Sequence, residues 1–496
     1  MTGTTVRAMD PRGGEALAGE ATTKTAKVTT IDPSSGQPLA DYDETSREEI
    51  DAMLDRAHDA AAAWRWTAPA ARAVALRRLA AAFHHKRSEL ALLATSEMGK
   101  PLTESLAEVD KCASACNWFA QHAPAMLEPV PADTHALRAE VLFEPLGVLF
   151  AIMPWNFPYW QVARALAPAL AAGNVVVLKH APSTTGCALA LRDLVHDTGL
   201  HDGLLSVIVA GFDHTPEVSE RVIADDRVAA VTLTGSTGAG RAVAAIAGRA
   251  LKKTVLELGG SDPFVVLADA DIEAAARWAV RSRFQNTGQS CIATKRIIVE
   301  LPVAGDFTDQ FLSFVDQLRL GDPTDPDVTI GPVARADLRA ALERQVDQSV
   351  AQGARVLTGG KAPDRPGFYY EPTVLDQCVP GMPVLAEEVF GPAVPIVTAP
   401  DAEAAIALAN DTSFGLGSNL WTADLDRAQD LARRLQAGHT AINGMTSSDP
   451  RLPFGGIKDS GYGRELATYG LHEFVNVHAV VVESPSGPPT DRVTIE

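Results

Sequence analysis

No stretch of this sequence approaches the ~20 consecutive apolar residues of a membrane-spanning helix. The longest apolar run, Val148 to Pro154, suits a buried strand instead. The N-terminus, MTGTTVRAMDPRGGEALAGE, lacks the apolar core of a secretory signal. Cysteine is scarce, with five in 496 residues, at positions 112, 116, 187, 291 and 378. An odd, irregularly spaced set excludes a disulfide framework and fits a reducing compartment, so the cytoplasm is expected. Cys112 and Cys116 stand four apart in a helical pattern, but no His or Cys pair follows at zinc spacing. Helix packing is their expected role, and no metal is expected. Basic residues are outnumbered, 43 Lys and Arg against 62 Asp and Glu, for a net charge of −19. Such a surface repels phosphate backbones, so no nucleic-acid partner is expected. No internal repeat is visible.

What is present is an ordinary globular composition, 46% apolar and 21% charged, in a chain long enough for two or three cores. Residues 1–25 have no hydrophobic period and read as a mobile extension. Ser46 and Glu49 form a capping box, opening a helix to about Trp66. A second helical pattern covers Ala70–Met98 with Gly99 as its cap, and a third covers about Thr103–Leu127. From Val141 short apolar runs alternate with helices: Gly147–Met153, Asn174–Lys179, Leu204–Ala210, Ala229–Thr234 and Thr254–Leu258 are expected strands. A second alternation follows Gly259-Gly260, with strands at Phe264–Leu267, Arg296–Glu300, Arg355–Thr358, Val394–Val397, Ser418–Leu420 and Thr440–Ile442. Helices are expected at about 271–284, 306–318, 333–352, 402–410 and 424–436. The pattern predicts an α/β protein with two doubly wound parallel-sheet domains joined near 258–262. Phe474–Glu483 is strand-like without a sequence neighbour, and is expected to pair with Arg138–Phe143 or another subunit. The tail Ser484–Glu496 is rich in Pro and Ser and reads as loose.

Several positions carry candidate chemistry. Cys291 follows a helix and a Gly-containing bend in Phe284-Gln285-Asn286-Thr287-Gly288-Gln289-Ser290-Cys291. A cysteine at such a boundary can act as a nucleophile, or be a small buried residue. Glu257 lies in the apolar strand Val255-Leu256-Glu257-Leu258, where burial would raise its pKa toward that of a general base, or where an ion pair would hold it. Asn156, between the prolines of Pro154-Trp155-Asn156-Phe157-Pro158, is either a fixed oxyanion donor or a turn residue. The strand ending at Thr234 runs into Gly235-Ser236-Thr237-Gly238-Ala239-Gly240 and a helix, a turn that can present N–H groups to phosphate. Its glycine spacing differs from the common dinucleotide fingerprint. Lys179 ends a parallel strand, where ligands bind in such sheets, although a surface lysine would read the same way. No acid follows it in His180-Ala181-Pro182-Ser183, which leaves room for a ribose 2′-phosphate.

Taken in order, PWNFP, TGSTGAG, VLELGGSDP, FQNTGQSC, EEVFGP and PFGGIKDSGYGRE resemble the aldehyde dehydrogenase superfamily, most closely its succinate-semialdehyde dehydrogenase branch. The resemblance implies that Cys291 attacks an aldehyde, that Asn156 steadies the oxyanion, that hydride passes to nicotinamide and that Glu257 activates the hydrolytic water. It maps Trp155, Lys179, Pro182, Gly235, Ser236, Leu258, Glu388 and Phe390 onto contacts with NADP, the expected preference, or NAD. It implies a cofactor domain over 26–131 and 151–257, a catalytic domain over 258–443, and a small β arm over 132–150 and 444–496 that joins a homodimer or homotetramer. Arg164, eight residues after Asn156, matches an arginine that binds the substrate carboxylate in that branch. Where some members place a second arginine, this chain has Gln285, and Arg451 in the loop 445–452 is the expected replacement. Succinate semialdehyde is the expected substrate. A broader aldehyde dehydrogenase and, more remotely, a cysteine thioesterase or hydrolase are the alternatives.

Overall fold

The structure, a computed structural model, describes residues 26–485. The extension 1–25 and residues 486–496 of the tail lie outside the described residues. The chain opens on a hairpin of β1 (Lys27–Asp32) and β2 (Gln37–Asp43). Three apolar-faced helices follow, as the periodicity predicts, but the second pattern divides in two. These are α1 (Arg47–Trp64), α2 (Pro69–His85), α3 (Arg87–Met98) and α4 (Leu102–Met126). The division falls at Lys86, whose non-helical backbone ends one helix and begins the next. The Ser46/Glu49 capping box is present in both directions. Gly99 ends α3 at φ +83°, and a Cβ there would meet Pro332 at 2.6 Å, so glycine serves both the turn and the close approach.

Two strands follow, the two-residue β3 (Val130–Pro131) and the longer β4 (Arg138–Pro145). The first α/β layer then contributes β5 (Val148–Met153), α5 (Trp160–Ala172), β6 (Val175–His180), β7 (Leu205–Ile208), β8 (Val228–Thr234) and β9 (Lys253–Glu257). The second contributes β10 (Asp262–Val266), β11 (Thr294–Glu300), β12 (Arg355–Thr358), β13 (Thr373–Asp376), β14 (Ala393–Ala399), β15 (Gly417–Trp421) and β16 (His439–Ile442). The chain closes with β17 (Gly461–Tyr462) and β18 (Val475–Val482).

The first sheet has the order β17-β9-β8-β5-β6-β7 and is parallel except for β17. Strand order reverses on either side of β5, so the loops after β5 and β8 open a crevice at the carboxyl edge. The second sheet has the order β12-β13-β14-β11-β10-β15-β16, with only β12 antiparallel. Its inner strands β10, β11 and β15 are buried on both faces, as parallel sheets require, while the edge strands β12 and β16 are partly exposed. The last strand, β18, pairs antiparallel with β4 along its whole length, from Val475 opposite Pro145 to Val482 opposite Arg138. Cys112 and Cys116 lie on the buried face of α4, in the core. Among the described residues no group of three or more His, Cys, Asp or Glu could hold a metal ion, and no helix is long and apolar enough to cross a membrane.

Candidate active site

Cys291 sits where the two sheets meet, after a bend that backbone sterics alone disfavour. Asn286 and Thr287 both adopt left-handed angles, φ 54° and 55°, a conformation costing roughly 1–3 kcal/mol for a β-branched residue such as threonine. The surroundings hold it. The Glu104 carboxylate accepts from the Asn286 N–H at 2.7 Å. The Thr287 hydroxyl donates to the Gly331 carbonyl at 3.3 Å and accepts from its N–H at 3.1 Å. The buried Arg283 guanidinium donates to the carbonyls of Gly288, Val389, Gly391 and Thr294. Lys295 donates to the carbonyls of Ser290 and Cys291. Gly260 lies so close that a Cβ there would meet the Cys291 carbonyl oxygen at 2.6 Å. The rest of the site therefore fixes where the thiol is presented.

Asn156 is buried beside that bend. Its side-chain amide donates to the Gln289 carbonyl at 3.0 Å. An amide nitrogen carries two hydrogens, so one remains for a ligand. Glu257 ends β9, fully buried, and neither carboxylate oxygen has a hydrogen-bond partner among the described residues. Burial, then the neighbouring Glu465, pushes its pKa well above the usual carboxylate range, against the pull of Arg164 and Arg464. Burial also pushes the Cys291 thiol up to about 11, opposed by Lys295 and Arg164. The resting thiol is protonated at neutral pH, so nucleophilic attack here requires a base.

A cavity of about 210 Å³ opens on Cys291. One face of α4 lines it through Glu104, Ala107, Glu108 and Lys111, spaced as a helix face must be. Phe157, Trp160 and Phe454 add apolar walls. Arg164 also lines it, yet its guanidinium is ion-paired to the buried Glu465, donates to Thr234 at 3.2 Å and lies 4.6 Å over the Phe454 ring. Gln285 is exposed at the cavity wall. Arg451, expected to stand in for the missing arginine, does not line the cavity. It is exposed and grips Asp449 through two bonds of 2.8 and 2.6 Å, because that carboxylate lies only two residues away. Sequence reading missed Lys111 and Ser448, which do line the cavity. The i, i+3, i+4, i+7 spacing of α4 was visible, but which way that face points was not.

On the other side of Cys291 lies the crevice at the carboxyl edge of the first sheet. Lys179 is buried near the end of β6, and burial lowers its pKa to about 8, with Glu44 facing it. Pro182 opens a 3₁₀ turn in which the Ser183 hydroxyl is buried without a partner among the described residues. Ser236 caps the helix Thr237–Arg249 by accepting from the Ala239 N–H at 3.3 Å, and the Gly235 N–H donates to the Glu257 carbonyl at 2.9 Å. Gly240 packs on Leu258, where a Cβ would meet its methyls at 2.5 Å. Glu388 accepts from the Gly260 N–H at 3.0 Å and faces Lys295 at 3.7 Å. Trp155 and Phe390 meet edge to face at 5.6 Å. An unpartnered hydroxyl, a lysine with no ion pair among the described residues and a capped helix N-terminus suit a phosphate-bearing dinucleotide.

A parallel-sheet crevice beside a half-buried cysteine, a buried amide and a buried carboxylate defines a class of oxidoreductase acting on carbonyl carbon. The chain belongs to the aldehyde dehydrogenase family, whose model matches residues 20–480. It is similar to succinate semialdehyde dehydrogenase (NAD(P)+) Sad of Escherichia coli (strain K12), 46% identical over 450 residues, or 91% of this chain and 96% of that one. It is also similar to succinate-semialdehyde dehydrogenase (NADP+) 1 of Mycobacterium tuberculosis (strain H37Rv), 44% identical over 91% of this chain and 99% of that one. Among solved structures, succinic semialdehyde dehydrogenase from Streptococcus pyogenes in complex with NADP+ superposes with a TM-score of 0.89 at 36% identity, covering 92% of this chain and 100% of that one.

Proposed function

We propose that this enzyme oxidises succinate semialdehyde to succinate, with NADP as its preferred cofactor. The supporting observation is the cavity itself: it opens on Cys291 and carries cationic side chains, Lys111, Arg164 and Arg281, among its walls. The similarity to succinate-semialdehyde dehydrogenases over most of the chain agrees with that reading. A bound nicotinamide dinucleotide supplies the hydride acceptor. Lys179, the Ser183 hydroxyl and the turn at Gly235-Ser236 would hold its ribose and phosphate end, with Pro182 and Leu258 along the crevice. Glu388, Trp155 and Phe390 would border its other end.

The protein's own part is acid–base and covalent. Cys291 passes its proton to solvent water in the open cavity, and the thiolate adds to the aldehyde carbon. Asn156 donates its free amide hydrogen to the oxygen that gains charge, an interaction worth roughly 10²–10³ in rate in comparable sites. Once the carbon is a thioester, Glu257 takes a proton from water, and the water cleaves the thioester. A carboxylate whose pKa is raised by burial suits that step near neutrality.

A broad aldehyde dehydrogenase for neutral substrates is the second reading, favoured by the aromatic walls Phe157, Trp160 and Phe454. Steady-state turnover of succinate semialdehyde and of butanal, each with NADP and with NAD, separates them. The expected order is a larger kcat/KM for the semialdehyde and for NADP. Equal values for the two aldehydes would favour the broad enzyme, and a larger value with NAD would remove the cofactor preference. The reading also takes the chain as a cytoplasmic homodimer or homotetramer. Five free cysteines fit that compartment, and the exposed valines 477, 481 and 482 on β18 offer an apolar edge to a second copy.

A further inference from the structure

Three cations line the cavity, and they differ in whether anything neutralises them. Arg164 is paired with Glu465. Arg281 is exposed, stacks 5.4 Å over Trp278, and faces Glu104. Lys111 is half-buried and forms no ion pair among the described residues. Its ammonium lies 4.3 Å over the Trp160 ring and donates to the Ser448 hydroxyl at 2.8 Å.

The acidic groups that face Lys111 are already engaged. Glu108, one turn earlier on α4, is buried, paired with Lys100, and accepts the N–H groups of Tyr159 and Trp160 at 2.8 and 2.9 Å. Asp449 is held by Arg451 through two bonds. The Cys112 thiol is buried, which raises its pKa well above the usual value and keeps it neutral. Arg164, the remaining neighbour, carries the same sign. Burial, then Arg164, lowers the Lys111 pKa to about 8, so the charge persists at neutral pH but is held at a cost.

Ser448 completes the picture. Its oxygen accepts from Lys111 at 2.8 Å and from the Trp160 indole N–H at 2.9 Å. A hydroxyl oxygen has two acceptor positions, so both are filled and its own hydrogen must go to a further acceptor. No such acceptor occurs among the described residues. One wall of the cavity thus offers an uncompensated ammonium beside an undirected O–H donor, which together match a carboxylate.

We propose that Lys111, seconded by the Ser448 hydroxyl, receives the carboxylate of the semialdehyde and is the specificity-determining cation of this enzyme in place of Arg451. This rests on the semialdehyde reading above. Arg451 acts from outside the cavity: it occupies Asp449, which would otherwise be free to neutralise Lys111.

The test uses Lys111→Met, Lys111→Gln and Lys111→Arg in the full-length enzyme. Two quantities are measured: inhibition of butanal oxidation by succinate, and the kcat/KM ratio of succinate semialdehyde to butanal. Both neutral variants should raise the succinate inhibition constant at least tenfold and lower the ratio at least tenfold, and arginine should restore most of each. If either folded neutral variant retains the wild-type succinate inhibition constant, or if wild type is not inhibited by succinate, Lys111 is no carboxylate receptor. If wild type shows no preference between the aldehydes but the inhibition constant still rises in the variants, the anion site stands and the succinate semialdehyde reading falls.

Discussion

Asn286 donates its side-chain amide to the main-chain carbonyl of Asn156 at 2.8 Å, while Asn156 donates its own to Gln289 at 3.0 Å. The bend that carries the cysteine and the loop after β5 therefore hold each other. The Asn156 amide is set relative to the cysteine bend by direct bonds. Replacing Asn156 by Ala should lower kcat on the order of 10²–10³-fold. Dinucleotide affinity, read by quenching of tryptophan fluorescence, should hardly change. A kcat within threefold of wild type would remove the oxyanion role.

The half-buried Cys291 thiol, pushed up to about 11, should react slowly with iodoacetamide in the cofactor-free enzyme at pH 7. Because the pKa is raised, thiolate accumulates only as pH climbs, so the alkylation rate should keep increasing past pH 10. A plateau by pH 8 would show that something lowers the thiol pKa in solution. Cys291→Ala should abolish dehydrogenase turnover.

Glu257 is proposed to act in the second half of the reaction. Glu257→Gln should leave an initial burst of reduced nicotinamide equal to the enzyme present, followed by a steady state slower on the order of 10²–10⁴-fold. Since burial raises its pKa, the basic form is the high-pH form. Wild-type kcat should accordingly fall as pH is lowered, and the slow phase of the glutamine variant should lose that dependence. Absence of a burst in stopped-flow traces would place Glu257 before hydride transfer instead.

Glu108 ties α4 to the start of α5 by pairing with Lys100 and accepting two main-chain N–H groups. Glu108→Ala leaves Lys100 buried without its partner. The expected loss is about 3–5 kcal/mol, seen as a lower thermal midpoint. A midpoint within a degree of wild type would mean that Lys100 finds another partner.

Much of the architecture was legible because its periods are strong. The helix 402–410 and the strand Arg355–Thr358 coincide with their expected limits. The strands that escaped notice are short or polar. The four residues of β13 follow Pro372 and give too little alternation to register. In β1 only Val28 and Thr30 turn inward, so half its buried face is a hydroxyl residue. At the site, the ordered motifs singled out Cys291, Glu257 and Asn156. They could not show that Arg164 is taken by Glu465, which lies 301 residues later. Nor could they show that Arg451 closes on its own neighbour. Both depend on which side chains meet in space, and local sequence carries no signal for that.

The short strand β17 has one more effect. Gly461 and Tyr462 pair with Glu257 and Leu256, so the strand bearing the proposed base is flanked by a segment translated some 200 residues later. Phe454 and Glu465 bracket that segment, and Asn174 donates to the Phe474 carbonyl at 2.9 Å. A ribosome-bound chain lacking its last few dozen residues has every motif from PWNFP to EEVFGP but not a closed site. Competence should therefore arrive late in synthesis, once that segment has closed on β9.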